Sequence, residues 1–340
     1  MTNKATVLVT GASGFIGMHC ILQLLDQGYQ VRGTVRSAAK GEHLRQTLQP
    51  HSPHTQNLTF AEADLLQDAG WAEAMAGCDF VLHVASPLPL AEPKDENDLI
   101  RPAVEGTLRV LRTANEAGVR RVVQTSSVAA VLHGHDRNRV FDESDWTNLD
   151  NPVAAYPKSK TLAEKAAWEY VIQPEVNLEL ATINPSYVLG PVLDAQKTSA
   201  SAEVILTILR RQYPGTPRLN FAVVDVRDVA AAHIAAMTTP EAAGKRFICS
   251  SENIWMQEMA QALQSQFGPQ GYKINTRGLP DFLLRIVALF DKKVALVVDN
   301  LGQVNRLSNK QIKEVLRWQP RPAKEAVIAM AQSFIDLNAV

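Results

Sequence analysis

Short apolar runs alternate with longer amphipathic stretches along the first 190 residues of the chain. Runs rich in β-branched and aromatic residues predict buried strands, and apolar positions every three to four residues predict helices. The predicted strands are 5–10, 30–35, 60–64, 80–85, 121–127 and 178–184, and the predicted helices are 18–27, 71–76, 100–117 and 154–171. Strands that alternate with helices are typical of right-handed crossovers, so the pattern predicts an α/β fold with a doubly wound parallel sheet.

The alternation loosens after about residue 190. Helices are predicted over 202–209, 256–267, 280–301 and 324–337, and strand-like runs return near 219–250. We therefore expect a first domain over 1–190, with returns near 219–250, and a smaller, mainly helical lobe over 191–340 that is interleaved with it. Because ligands of doubly wound folds lie at the carboxyl ends of the strands, the cleft between the two parts is the expected site.

Composition excludes several kinds of partner. The 34 Lys and Arg residues balance 35 Asp and Glu residues and form no basic block, so neither nucleic acid nor an anionic membrane is an expected partner. The late apolar stretch 279–298 is interrupted by charges, which argues against a membrane span. Three widely spaced cysteines without a C-x-x-C pair, and the lack of a signal-like start, predict a cytoplasmic location with neither disulfide nor metal site.

Three glycines, Gly11, Gly14 and Gly17, lie between the first strand and the first helix. At this spacing the first glycine allows a tight turn, the second lets the backbone approach a pyrophosphate, and the third lets helix and strand pack closely. The helix N-terminus adds free N–H groups and the positive end of its dipole. The pattern predicts the dinucleotide site of a Rossmann domain, which also includes Ser13, Phe15 and Ile16.

The end of the second strand bears on the choice of cofactor. Enzymes that use NAD place an acidic residue there to bind the ribose hydroxyls, whereas this strand ends in Thr34-Val35-Arg36 without a carboxylate. A guanidinium binds phosphate with a planar fork, so Arg36 favours NADPH, with Lys40 and Arg32 as possible helpers. The alternative interpretation is that Arg36 is a solvated loop residue.

Tyr156 and Lys160 lie one helical turn apart on the same face. A phenol has a pKa of about 10, and a neighbouring ammonium lowers it toward the range in which the phenol exchanges protons. Ser127 ends the predicted fifth strand, where its hydroxyl can bind a substrate carbonyl. Ser126 is the competitor, because strand alternation sends the two side chains in opposite directions. Two solvated helix residues remain the alternative interpretation of the Tyr–Lys pair.

Together these motifs resemble those of a known enzyme family. The pattern T-G-x-x-G-x-x-G over 10–17, Thr125-Ser126-Ser127 and Tyr156-x-x-x-Lys160 are similar to the extended short-chain dehydrogenase/reductase family. Five further segments resemble its dihydroflavonol 4-reductase-like branch, which includes cinnamoyl-CoA reductases and aldehyde and ketone reductases: 34–36, 83–87, 102–107, 184–191 and 224–229. The similarity extends from about residue 5 to residue 330.

The resemblance implies a role for each matching residue. Tyr156 would protonate the carbonyl oxygen, Lys160 would bind the nicotinamide ribose and lower the pKa of Tyr156, and Ser127 would position the carbonyl. The remaining cofactor contacts that it implies are Asp64 and Leu65 beside the adenine, Ala85, Ser86 and Pro87 beside the ribose and diphosphate, and Pro185 and Val188 beside the nicotinamide.

We therefore expect an NADPH-dependent reductase of a small or medium hydrophobic aldehyde or ketone, reversible toward alcohol oxidation, and either a monomer or a homodimer. The expected substrate walls are 86–90, 128–132 and 187–217, whose apolar residues are Leu88, Leu90, Val131, Leu132, Val192, Leu193 and Ile205. Arg210, Arg211 and Arg218 could instead turn inward and hold an anion. Two alternatives stay open: a nucleotide-sugar epimerase or dehydratase, disfavoured by Ala103 where many epimerases carry Asn, and a non-catalytic dinucleotide sensor.

Overall fold

Seven parallel strands form the central sheet of the computed structural model, which describes residues 5–87, 93–136, 138–194, 200–290 and 298–340. The strands of the described chain are β1 (Thr6–Thr10), β2 (Gln30–Val35), β3 (Leu58–Glu62), β4 (Phe80–His83), β5 (Arg121–Thr125), β6 (Val140–Phe141), β7 (Glu179–Pro185), β8 (Tyr187–Leu189), β9 (Asn220–Asp225), β10 (Lys245–Cys249), β11 (Glu252–Trp255) and β12 (Arg306–Leu307). The central sheet has the order β10-β7-β5-β4-β1-β2-β3, which confirms the predicted doubly wound α/β fold.

Helices cover both faces of this sheet. The helices of the described chain are α1 (Phe15–Asp26), α2 (Ala38–Leu48), α3 (Trp71–Met75), α4 (Asn97–Glu116), α5 (Ala155–Val171), α6 (Ala200–Leu209), α7 (Val226–Thr238), α8 (Met256–Phe267), α9 (Asp281–Val287), α10 (Lys310–Leu316) and α11 (Ala323–Asp336). Successive strand residues point to opposite faces, so Val7 and Val9 of β1 pack with α1, α2, α7 and α10, while Leu8 packs with α3, α4 and α5. Both faces of each central strand are therefore buried.

A second apolar core lies in the C-terminal part of the chain. Buried residues of α6, α8 and α11 pack there against a three-stranded sheet of order β11-β9-β8. The hydrophobic pattern predicts mainly helices in this region, and it misses this sheet because its strands are only three to six residues long. A further parallel pair joins β6 to β12.

The predicted helix over 280–301 is only partly described. Its described beginning is α9, and residues 291–297 lie outside the described residues. The helix α2 was missed because its buried face is narrow, with Gly41, Leu44 and Leu48. Among the described helices, none combines the length and the apolar character that a bilayer span requires.

The chain order of the strands locates a crevice at the carboxyl edge of the sheet. From β1 the chain continues to β2 and β3 on one side, and it then returns to place β4 on the other side of β1. The carboxyl ends of β1 and β4 therefore flank the point at which the strand order reverses. Doubly wound folds bind their ligands at this point.

Candidate active site

The turn after β1 brings three backbone segments into close contact. Gly11 has φ +64°, and a Cβ atom on it would lie 2.9 Å from Cα of Ala85 in the turn after β4. A Cβ atom on Gly17 would lie 2.5 Å from the carbonyl oxygen of Gly11. Helix α1 begins at Phe15 with Gly14 as its N-cap and without a side-chain cap or an acidic residue in the first turn. This uncapped N-terminus against a glycine turn fits a dinucleotide pyrophosphate.

A buried polar pair supports this turn from below. The Thr10 hydroxyl at the end of β1 accepts a hydrogen bond from the Ala85 N–H at 3.0 Å and is hydrogen-bonded to Nδ1 of His83 at 2.8 Å. Burial, and then the positive charge of Lys160, lower the pKa of His83 to about 3, so its imidazole is neutral near pH 7. His83 is thus a packed strand histidine that joins the carboxyl ends of β1 and β4.

The residues proposed to select the cofactor lie after β2. Arg36 and Lys40 are exposed, and neither side chain has an ion-pair partner within the described ranges. For Arg32 the structure differs from our expectation that it helps to bind the phosphate. Its guanidinium donates to the carbonyl oxygens of Ala74 at 2.9 Å and Ala76 at 2.8 Å. Arg32 thus holds the C-terminal end of α3 and does not support phosphate binding.

The segment after β3 is held at the same edge of the sheet. The indole N–H of Trp71 donates to the carbonyl oxygen of Asp64 at 3.0 Å, and the Leu66 N–H donates to Oδ1 of Asp64 at 3.0 Å. The guanidinium of Arg109 in α4 donates to the carbonyl oxygen of Leu65. Asp64 and Leu65 are partly buried there, which suits contact with an adenine.

Helix α5 brings the Tyr–Lys pair to the crevice. Because the helix begins at Ala155, Pro157 lies in the first turn. The N–H groups of the first turn have no partner within the helix, so proline costs no helical hydrogen bond there. The side chain of Tyr156 is hydrogen-bonded to Ser127. Nζ of Lys160 donates to the Ser86 hydroxyl at 2.9 Å and lies 5.9 Å from the centre of the Tyr156 ring. The structure therefore brings Ser127, Tyr156, Lys160 and Ser86 together.

Burial changes the proton affinity of both groups. It raises the pKa of the Tyr156 phenol, and the hydrogen bond with Ser127 opposes the rise. It lowers the pKa of Lys160 to about 8, and the negative charge of Glu164 opposes this effect. Near neutral pH the phenol therefore keeps its proton, while the ammonium lies close to its titration range.

The two adjacent serines differ in their surroundings. Ser126 is buried, and its hydroxyl donates to the Glu164 carboxylate. Ser127 is only partly buried, and its hydroxyl accepts from the Ala129 N–H at 3.1 Å in addition to its bond with Tyr156. The structure thus places Ser127, and not Ser126, beside Tyr156.

The segment after β7 holds a buried polar atom that the sequence analysis missed. Pro185 ends β7 and Val188 lies in β8, and between them Ser186 is 9% exposed. The hydroxyl of Ser186 has no hydrogen-bond partner in the described part of the chain. An unsatisfied buried hydroxyl at this position fits a polar group of a bound cofactor. Only its place between Pro185 and Val188 could have indicated it from sequence.

The expected substrate walls need correction. Val131 and Leu132 are buried against Phe141 and Ile248, and Val192 and Ile205 belong to the C-terminal core. Leu193 packs against the core of the central sheet, and Leu88 and Leu90 lie outside the described residues. Four residues predicted to line the substrate pocket are therefore core residues instead: Val131, Leu132, Val192 and Ile205.

Two of the three arginines near this region are bound to other groups of the protein. Arg210 donates to the carbonyl oxygen of Ala339 at 2.6 Å, and Arg218 pairs with Asp281 at 2.6 Å. Arg211 is exposed in the loop after α6. Two of the arginines that could hold an anionic substrate are therefore engaged by the protein itself.

Known proteins share both the motifs and the fold of this chain. The model of the NAD dependent epimerase/dehydratase family matches residues 7–249. Cinnamoyl-CoA reductase 1 of Petunia hybrida is 39% identical over 280 residues, which cover 80% of this chain and 79% of that protein. Dihydroflavonol 4-reductase of Zea mays is 35% identical over 273 residues, covering 78% and 75%.

A solved structure extends the similarity over nearly the whole chain. It is the crystal structure of yeast methylglyoxal/isovaleraldehyde reductase Gre2 complexed with NADPH. It aligns with a TM-score of 0.80 and 29% identity and covers 98% of this chain and 99% of that one. The fold seen here is therefore that of an NADPH-bound reductase.

Proposed function

Because the chain belongs to the NAD dependent epimerase/dehydratase family, the extended short-chain dehydrogenases/reductases, we propose that it is an NADPH-dependent carbonyl reductase. It reduces a small or medium hydrophobic aldehyde or ketone and runs in reverse as an alcohol dehydrogenase. The observation that carries the proposal is the convergence of Tyr156, Ser127 and Lys160 beside the glycine turn. The reductase names of the relatives support the same chemistry.

The glycine turn and the strand ends around it would hold the cofactor. The uncapped N-terminus of α1 and the turn at Gly11 suit the diphosphate, the Lys160–Ser86 pair suits the nicotinamide ribose, and Arg36 suits a ribose phosphate. When bound, NADPH supplies the hydride that adds to the carbonyl carbon of the substrate. The unpartnered Ser186 hydroxyl is a further hydrogen-bonding group for the cofactor.

Tyr156 acts as the proton donor. Its phenol is protonated near neutral pH, because burial raises its pKa. As the carbonyl π electrons move onto the substrate oxygen, that oxygen takes the phenolic proton and Tyr156 becomes a phenolate. The Ser127 hydroxyl orients the carbonyl, and the Lys160 ammonium stabilises the phenolate until a proton from water restores the phenol.

The charge distribution supports an uncharged substrate. A nucleotide or a CoA thioester needs cations at the site, whereas Arg210 and Arg218 are bound elsewhere. We also propose a cytoplasmic location, which the three free and buried cysteines support. In this proposal the working form is a monomer or a homodimer.

A variant and a substrate panel test the proposal together. Tyr156→Phe should bind NADPH as the unaltered protein does and lose about 10²–10⁴-fold in turnover. Tyr170→Phe, at the far end of the same helix, is the matched control and should keep full turnover. Oxidation of NADPH is followed with an aryl aldehyde, a hydrophobic ketone, a CoA thioester and a sugar nucleotide.

Each outcome of the panel has a consequence. Faster turnover of the CoA thioester would contradict the assigned substrate class but keep the reductase. Conversion of a sugar nucleotide without added cofactor would identify an epimerase or dehydratase instead. An active Tyr156→Phe variant would refute the assigned chemistry.

A further inference from the structure

A buried ion pair adjoins the candidate active site. Glu164 of α5 is fully buried, and its Oε1 accepts a hydrogen bond from Nε of Arg246 in β10 at 2.7 Å. Four uncharged groups also donate to this carboxylate, and one of them is the Trp168 indole, whose Nε1 lies 3.4 Å from Oε1. Thr182 donates to Oε1 at 3.0 Å, Asn184 Nδ2 donates to Oε2 at 2.8 Å, and the Ser126 hydroxyl donates to Oε2.

The partner of the carboxylate is itself held rigidly. Nη1 of Arg246 donates to the carbonyl oxygens of Glu143 and Asp145, both at 2.7 Å. Its guanidinium lies 3.7 Å from the centre of the Trp146 ring. Buried ion pairs add little stability over apolar packing of the same shape, because both charges must leave water. Because the pair lies next to the crevice, we infer that its role is other than stabilising the fold.

The carboxylate is connected to two of the proposed catalytic residues. Asn184 Nδ2, which binds Glu164, also donates to the carbonyl oxygen of Ser127 at 3.2 Å. Ser126, which donates to the same carboxylate, is the residue just before Ser127. Glu164 follows Lys160 by one helical turn, so its charge acts on the ammonium from the same helix.

We propose that Glu164 is a positioning residue, which holds Ser127 in place through Ser126 and Asn184 and stabilises the Lys160 ammonium from one turn away on the same helix. Arg246 fixes the carboxylate and offsets part of the effect of its negative charge on Lys160. The inference rests on the proposed function, because it assigns Lys160 and Ser127 to the reaction. Glu164 itself is fully buried and touches neither substrate nor cofactor.

The charged groups around Lys160 predict in which direction each variant shifts the pKa of Lys160. Within the described residues, the titratable or charged groups that face it are Tyr156 and Glu164 of α5 and His83 at the end of β4, and Arg246 acts through Glu164. His83 is neutral, so it contributes no charge of its own near pH 7. Glu164→Gln leaves the Arg246 charge unpaired and should lower the pKa of Lys160. Arg246→Gln leaves the Glu164 charge unpaired and should raise it.

The titration of Lys160 is measured directly in the cofactor-free protein. Lysines labelled with an NMR-active carbon at Cε report their own pKa, and the Lys160→Ala variant assigns the resonance. We expect a shift of about 1 pH unit downward in Glu164→Gln and of similar size upward in Arg246→Gln. The double variant should return close to the original value. The alkaline limb of the kcat/KM profile should follow the same order.

A matched control separates this role from a structural one. Glu179 pairs with Arg121 at the opposite edge of the same sheet, at 2.7 Å. Glu179→Gln therefore breaks an Arg–Glu pair whose carboxylate is half-exposed and which lies far from the crevice, and it should leave the Lys160 titration unchanged. Thermal unfolding is recorded for each variant. If Glu164→Gln does not fold, the upward shift in Arg246→Gln carries the test alone.

Titrations that do not move, or that move in the same direction in both single variants, would overturn the inference. The NMR titration does not require turnover, so it stays informative if the protein reduces no carbonyl compound. An inactive Tyr156→Phe combined with unmoved titrations would refute the inference and leave the proposed function standing.

Discussion

The Ser126 hydroxyl donates a hydrogen bond to the buried Glu164 carboxylate. The side chain of the next residue, Ser127, is hydrogen-bonded to Tyr156. The two serines have the same side chain and adjacent positions, yet one belongs to a buried polar network and the other to the crevice. Their exchange for alanine therefore separates the two roles.

Ser127→Ala should lower kcat by about 10²-fold, because it removes a hydroxyl that stabilises the developing charge on the substrate oxygen. Ser126→Ala should lower kcat by less than about tenfold, since it removes one of several donors to Glu164. Steady-state kinetics on both variants with one aldehyde checks the order. A larger loss in Ser126→Ala would show that the geometry of the bound state differs from the one described here.

Arg36→Ala should weaken NADPH binding by roughly ten- to a hundredfold and leave NADH binding unchanged. Loss of one charge-assisted hydrogen bond to a phosphate costs about 1.5–3 kcal/mol. Arg32→Ala, in the strand that precedes Arg36, is the control, since Arg32 binds carbonyl oxygens at the end of α3. It should lower thermal stability without changing the ratio of the two affinities. An unchanged NADPH to NADH ratio in Arg36→Ala would exclude Arg36 from cofactor selection.

Gly11→Ala should destabilise the turn and abolish tight NADPH binding. The added Cβ would lie 2.9 Å from Cα of Ala85, and φ of +64° is itself strained for alanine. Gly118→Ala is the matched control, because Gly118 has φ +71° and no neighbouring atom within 4 Å of the added Cβ. Strain in φ alone costs about 1–3 kcal/mol in each variant. Equal losses of stability and full NADPH binding in both would contradict the close contact of the two turns.

Acid should unfold the protein through its buried histidines. Burial lowers the pKa of His19 to about 4, of His83 to about 3 and of His233 to about 4. The unfolded chain binds these protons near pH 6.5 and the folded chain does not. The free energy of unfolding is therefore highest above about pH 6.5 and falls as the pH falls toward 4.

Denaturation by urea at about pH 7 and about pH 5 measures this loss, which should reach roughly 2 kcal/mol per histidine. His233 accepts from the Thr125 hydroxyl through Nε2 and donates to the Val229 carbonyl oxygen through Nδ1, both at 2.7 Å. His233→Gln should reduce the difference between the two pH values by this amount.

Local patterns in the sequence were sufficient for the parts of the molecule that depend on neighbouring residues. The glycine spacing predicts the turn because each glycine lies where a side chain would clash within one strand–turn–helix unit. Tyr156 and Lys160 share a helical face because four residues make about one turn. The apolar runs predict the central strands because both faces of a parallel sheet are buried, and the order of strands and helices then predicts the doubly wound fold.

Other features depended on residues far apart in the chain. Strand β5 ends at Thr125, so alternation along the strand could not decide between Ser126 and Ser127, whereas packing against Glu164 did. Arg32 carries the same charge as Arg36, but its reach to the end of α3 gives it another role. The pairing of Glu164 with Arg246 needs β10 to lie beside β7, which no local pattern predicts. Hydrophobic periodicity reports which face of an element is buried, and only the assembled sheet determines which buried polar groups meet.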